Sequence, residues 1–189
     1  MTELPPRRKV RDVEIMGALA HPLRAALLRY LMAVGPRTAS ECADAVGSTA
    51  SNCSWHLRQL AKFGLVEATG GGDGRQRPWR ASVVGIDLGE FADDPATRAA
   101  QLAVFGTALG EEQKLTQRFL ERVDELDADW RRASALNGYT LTLTASELAD
   151  LVAKVDALVR PYASTIREDA PPGAKPVYAG FRAFLRLER

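Results

Sequence analysis

The chain has 189 residues, 46% of them hydrophobic and 26% charged, with a formal net charge of +1. That composition is globular rather than disordered, and no apolar run reaches the roughly 18 residues a membrane-spanning helix needs. The near-zero charge hides an asymmetry. Residues 1–82 carry 12 Lys/Arg against 7 Asp/Glu and the remainder 13 against 17, so the first part is the one expected to meet a polyanion. The opening stretch MTELPPRRKVRD lacks an apolar leader, and two cysteines, Cys42 and Cys53, are too few for a secreted disulfide scaffold. Both features predict a cytoplasmic protein.

In chain order, residues 21–35 (HPLRAALLRYLMAVG) predict a helix with Pro22 in its tolerant first turn. Leu23, Leu27, Tyr30, Leu31 and Val34 keep helical spacing. Residues 38–47 (TASECADAVG) open on Thr38 and Glu41, the pattern of a capping box, and offer Ala39, Cys42, Ala43 and Val46 to a core. A short turn at Gly47-Ser48 leads to a third helix, 49–63. At 100° per residue, Cys53, Leu57 and Leu60 stack on one side of it, flanked by Ala50 and Ala61. Ser51, Ser54, Trp55, Arg58 and Lys62 gather on the other, with Asn52 and Gln59 at its edge and His56 on the border. Gly64 supplies a left-handed stop. LVEAT (65–69) reads as a short strand, GGGDG (70–74) as a tight turn and RQRPWRASV (75–83) as a returning basic strand. Two short helices joined by a Gly-containing turn, then a glycine hairpin, make a helix-turn-helix with a wing.

Ala-Leu-Ala-His-Pro-Leu-Arg (18–24), Ser-Trp-His-Leu-Arg (54–58) and Gly-Leu-Val (64–66), followed by the Gly/Arg-rich wing, resemble the ArsR-type winged helix-turn-helix transcriptional regulator family over residues 12–83. The resemblance implies a dimeric, sequence-specific DNA binder that responds to a signal. The polar face of helix 49–63 suits a major groove. Arg58 can fork onto a guanine edge or hold a phosphate, Asn52 and Gln59 can pair with adenine, and Ser51, Ser54 and Lys62 suit base edges or phosphate. Trp55 can pack on sugars or a thymine methyl, or cover the arginine stem. On the wing, Arg75 is placed to reach a minor groove, with Arg77 and Arg80 touching phosphates; a solubilising hairpin is the alternative.

Other chemistry is weakly supported. A lone border histidine, His56, is expected to be a packed side chain rather than a metal ligand or base. Cys42 and Cys53 are expected to be small buried hydrophobes, since a redox switch needs thiolate character and exposure. With His21 and His56 the only histidines, no three- or four-ligand metal cluster is visible. GGGDG lacks the Gly-Lys-Ser/Thr ending of a nucleotide loop, and no convergent acid, base and nucleophile suggests an enzyme. No metal and no cofactor is expected.

Residues 93–133 predict one long helix or two nearly continuous ones. Leu102, Phe105, Leu109, Thr116, Phe119, Val123, Leu126 and Trp130 run close to a heptad seam. Ala99, Ala103, Gly106 and Gly110 form a row of small residues beside it. Helix 95–133 is therefore the expected homodimer element, packing on its own domain being the alternative. YTLTLT (139–144) alternates like a strand, residues 144–159 predict a helix behind a second capping box of Thr144 and Glu147, and PVYAGFRAFLRL (176–187) reads as a final strand pairing with 139–144. Tyr139, Tyr178, Phe181 and Phe184 are then expected to line a small-molecule effector pocket or to build a plain second core.

The expected fold is mainly α with a small β wing. A winged helix-turn-helix DNA-binding domain occupies 1–84, and a dimerisation and effector region with a small α+β part occupies 85–189. The expected function is a dimeric DNA-binding transcriptional regulator with double-stranded DNA as partner. A winged-helix module that binds protein and not DNA is the alternative.

Overall fold

A computed structural model describes residues 4–70 and 77–188. It divides into two compact units, residues 1–111 with 161–177, and residues 112–160 with 178–189. The packing boundary thus falls beyond the expected 84/85 junction. The reason is visible in the helix that follows the wing, whose first half packs on the first unit through Ala100 and Val104.

The first unit begins with β1 (Arg8–Lys9) and α1 (Val13–Leu19), then α2 (Pro22–Val34), α3 (Ala39–Val46) and α4 (Ala50–Lys62). Next come β2 (Val66–Ala68), β3 (Trp79–Ala81), β4 (Ile86–Asp87) and the long α5 (Pro95–Glu121). Pro22 opens α2, and Thr38 and Glu41 close a reciprocal capping box on α3. Gly47 (φ 65°) and Gly64 (φ 63°) take the left-handed conformation just beyond α3 and α4. β2 and β3 form an antiparallel hairpin in the register Val66–Ala81, Glu67–Arg80, Ala68–Trp79, and a bridge from Arg37 to Trp79 extends it toward the helices. The core between helices and hairpin is apolar: Met16, Leu27, Cys42, Cys53, Leu57, Leu60 and Leu65 are all fully buried.

Three elements of this unit escaped sequence reading. Asp12 caps α1, accepting from the Glu14 and Ile15 amides, and the apolar spacing of Met16 and Leu19 behind it was the available signal. β1 and β4 pair in parallel over two residues each, too short to leave a pattern. The corner between α1 and α2 is tied by Arg24, which donates to the carbonyls of Ala18 (2.7 Å) and Gly17 (2.9 Å). The Thr107 hydroxyl of α5 donates to Ala20 O at 2.7 Å. Buried Gln101 donates to the Leu88 and Glu90 carbonyls and accepts from the Ala92 amide, fastening an irregular stretch to α5.

In the second unit the expected helix 95–133 is broken. α5 ends at Glu121, a 3-10 turn covers Val123–Glu125, Leu126 is extended, and Asp127 caps a separate α6 (Ala128–Ala133) by accepting from the Trp130 amide. The seam through Val123, Leu126 and Trp130 is therefore not one continuous helical stripe. α7 (Ala145–Val159) forms behind the expected Thr144/Glu147 capping box. The two expected C-terminal strands do not form: residues 139–144 and 176–187 are irregular. Tyr139, Tyr178, Phe181 and Phe184 lie exposed in the single chain rather than packed in a second core. An alternating pattern specifies a strand only when a neighbour takes its hydrogen bonds, and among the described residues no strand pairs with either segment.

Candidate nucleic-acid interface

α4 is held by its inner side. Cys53, Leu57 and Leu60 are each 0% exposed, and Thr49 caps the helix by accepting from the Asn52 amide. Anchored this way, α4 turns Ser51, Asn52, Trp55, Arg58 and Lys62 to solvent, with Ser54 and Gln59 half-buried. Trp55 is 51% exposed, unusual for so large an apolar surface in a monomer. Two polar pairs preorganise this face: Arg58 Nη2 donates to Ser54 Oγ at 3.0 Å, and Asn52 Nδ2 donates to Ser48 Oγ at 3.1 Å. Of the residues expected to touch DNA, the seven on α4 thus share one helix, with serine, amide and cationic groups side by side.

The wing is less uniform. Arg77 and Arg80 are exposed, but Arg80 is engaged by Glu67, its cross-strand partner, at 2.7 Å. A phosphate would have to compete with that carboxylate, although an ion pair this exposed is worth at most about 1 kcal/mol. Arg75, with most of the glycine turn, lies outside the described residues.

His56 is buried deeper than a border position, at 6% exposure. Its ring meets His21, the residue preceding α2, with centroids 4.5 Å apart, and Trp55 stands edge-on to it at 4.7 Å. Trp55 therefore braces a histidine pair, a contact that sequence reading missed. The two histidines are 35 positions apart in sequence, and no local pattern joins them. Burial lowers the pKa of both imidazoles, helped by the Arg24 guanidinium and, at His56, by His21 itself. Neither Nδ1 has a hydrogen-bond partner among the described residues. The pair lacks further ligands: among the described residues no three His, Cys, Asp or Glu side chains are grouped to hold a metal.

Cys42 and Cys53 are unpaired thiols at 0% exposure. Burial pushes the Cys42 thiol up to about 11, with Cys53 nearby adding to the shift, and burial likewise raises Cys53. Both are packed as buried hydrophobes, and burial disfavours the thiolate form of each.

Residues 19–68 match the family model of a helix-turn-helix domain. The matched span runs from the end of α1 through β2 and contains α3, the turn and α4, so the helix-turn-helix match coincides with the geometry built above. It supports a DNA-binding regulator. No curated protein matches the chain. Among solved structures, the apo form of a mutant of Lactococcus lactis ZitR is similar at 15% identity, covering 79% of this chain and 87% of that one. Its TM-score of 0.30 is too low for the likeness to carry an argument. No described helix is long and apolar enough to cross a membrane.

Proposed function

We propose that the protein is a transcriptional regulator of the ArsR type that binds double-stranded DNA as a homodimer. The observation that carries this reading is the two-sidedness of α4: leucines and a thiol sealed behind, with Ser51, Asn52, Trp55, Arg58 and Lys62 presented together in front. In this reading α4 enters the major groove, with Ser54 and Gln59 at the edge of the contact. The wing, with Arg75, Arg77 and Arg80, follows the flanking backbone or minor groove. Affinity comes largely from phosphate neutralisation and falls with salt.

The dimer reading is supported by the outer side of α5. Ala100, Gln101, Val104 and Thr107 face the first unit, whereas Leu102, Phe105 and Leu109 lie exposed beside the small residues Ala99, Ala103, Gly106 and Gly110. Such an apolar row fits a second helix at close approach, and two copies of α4 about one DNA turn apart are what a palindromic operator requires. The functional division is then a DNA-binding region over 1–84 and a dimerisation region over 85–189.

Selection of genomic fragments by the purified protein, followed by gel shifts at two salt concentrations, tests the reading. The expected result is a palindrome with half-sites a helical turn apart and an affinity that drops steeply with salt. Absence of any DNA retention at low salt would replace it with the protein-binding module.

A further inference from the structure

The second unit presents an imbalance that the DNA-binding reading does not use. Among the described residues, none of its side chains is buried. Thirteen of its large apolar side chains are more than 40% exposed, among them Leu136, Tyr139, Leu158, Phe184 and Leu187. At roughly 60–150 Å² apiece they leave on the order of 1,000 Å² of apolar surface in water, well above the few hundred a monomer ordinarily shows. Ordering a chain costs about 1–2 kcal/mol per residue. A unit with a capped helix but no core has nothing of its own to offset that cost.

We propose that a second copy of this chain supplies the missing core: residues 139–144 and 178–187 pair as strands in the dimer and close their apolar sides over α7. This rests on the dimer reading above and extends it from α5 to the C-terminal unit. Three observations select a second copy as the occupant. The exposed apolar area is of the size a standard interface buries per partner, about 800 Å². The unit's charge is self-complementary: residues 112–160 hold 7 basic and 9 acidic groups, residues 178–189 hold 3 and 1, and together they sum to zero. The sign of that attraction already appears within the unit, where Arg182 donates to Glu112 at 3.1 Å. A unit of zero net charge gains little from a polyanion, which disfavours DNA as the occupant. The third observation is the pattern itself. Tyr139, Leu141 and Leu143 alternate with threonines, Phe181, Ala183, Leu185 and Leu187 share the face opposite Arg182 and Arg186, and two segments in each copy give four strands, enough for a stable sheet where an isolated hairpin is marginal.

Hydrogen exchange by mass spectrometry on the full chain, at concentrations where sedimentation gives dimer and monomer, tests the inference. In the dimer, amides of 139–144 and 178–187 are expected to exchange at least tenfold more slowly than in the monomer. Leu141→Lys and Leu185→Lys, both exposed in the single chain, are each expected to raise the dimer dissociation constant at least tenfold and erase that protection, with α2–α4 unaffected. A dimer in which these amides exchange as fast as in the monomer overturns the inference, as does protection that survives dilution to monomer. Slowed exchange confined to α5 keeps the helix-mediated dimer and rejects the shared sheet. Slowed exchange of the C-terminal segments with α5 unchanged keeps the shared sheet and removes the helix from the interface. A chain that stays monomeric at every concentration rejects both.

Discussion

The two units use the same local devices and differ in what those devices are attached to. Each has a helix opened by a Thr-x-x-Glu capping box, Thr38 and Glu41 in the first, Thr144 and Glu147 in the second. In both, the hydrogen bonds from threonine hold the glutamate below the usual carboxylate range. α3 carries Cys42 and Ala43 into an apolar core, whereas α7 buries nothing among the described residues. A cap fixes where a helix begins, but packing decides whether the helix adds to a cooperative structure.

A matched pair of leucine truncations separates the two units by the largest margin. Leu57→Ala, at a fully buried site, is expected to cost about 2–5 kcal/mol of unfolding free energy. Leu158→Ala, at 72% exposure, is expected to stay within about 0.5 kcal/mol in dilute solution. Equal costs in urea titrations would mean that the second unit has a core of its own.

Next in size is a contrast in binding. Arg58→Ala is expected to lose about 1–3 kcal/mol of specific DNA affinity if the guanidinium reads a base. Lys154→Ala, a surface cation of the second unit paired with Asp150, is expected to leave affinity unchanged. Gel shifts on selected operator and random DNA separate the two; unchanged affinity and unchanged preference in the Arg58 variant would remove it from the readout.

The capping boxes give a smaller effect. Thr38→Ala is expected to cost about 1 kcal/mol of global stability. Thr144→Ala is expected to fray α7, seen as faster amide exchange in its first turn, without moving the unfolding midpoint of the first unit.

The smallest effect is pH dependence. Both histidines lie in the first unit and have folded pKa values below the ordinary 6.5. Their contribution is full well above about pH 6.5, where the imidazoles are neutral in both the folded and the unfolded chain. As pH falls below that, the unfolded chain takes up protons that the folded one resists, and stability declines toward the folded pKa values. Urea midpoints of the first unit between pH 8 and 5 should fall on acidification, and a His21→Asn variant should flatten the fall. The second unit has no histidine, so amide exchange in α7, corrected for its intrinsic pH dependence, should show no matching step.

The comparison also explains what could be read from the sequence. Helices α2, α3 and α4 were legible because each carries its own signal: Pro22 at a first turn, Thr38 with Glu41, Gly64 after α4, and the Cys53–Leu57–Leu60 stripe; α1 lacked one beyond Asp12 and the short spacing of Met16 and Leu19. The polar side of α4 follows from that stripe by rotation alone. The His21–His56 contact and the β1–β4 pairing were not legible, because they join residues distant in sequence. The strands at 139–144 and 176–187 failed for a related reason: alternation states which face is apolar but not which backbone completes the ladder. The break in helix 95–133 had a local cue in Asp127, a capping residue that the heptad spacing of Leu126 and Trp130 concealed.

The hydroxyl of Thr107 on the Ala20 carbonyl has a mechanical corollary. Ala20 is followed directly by His21, and the His21 imidazole rests on that of His56. A rotation of α5 thus has two noncovalent joints to cross, one polar and one aromatic, before it reaches the rod bearing Arg58. The outer side of α5 is thus joined by a short linkage to α4, whose polar face is the one proposed to meet DNA.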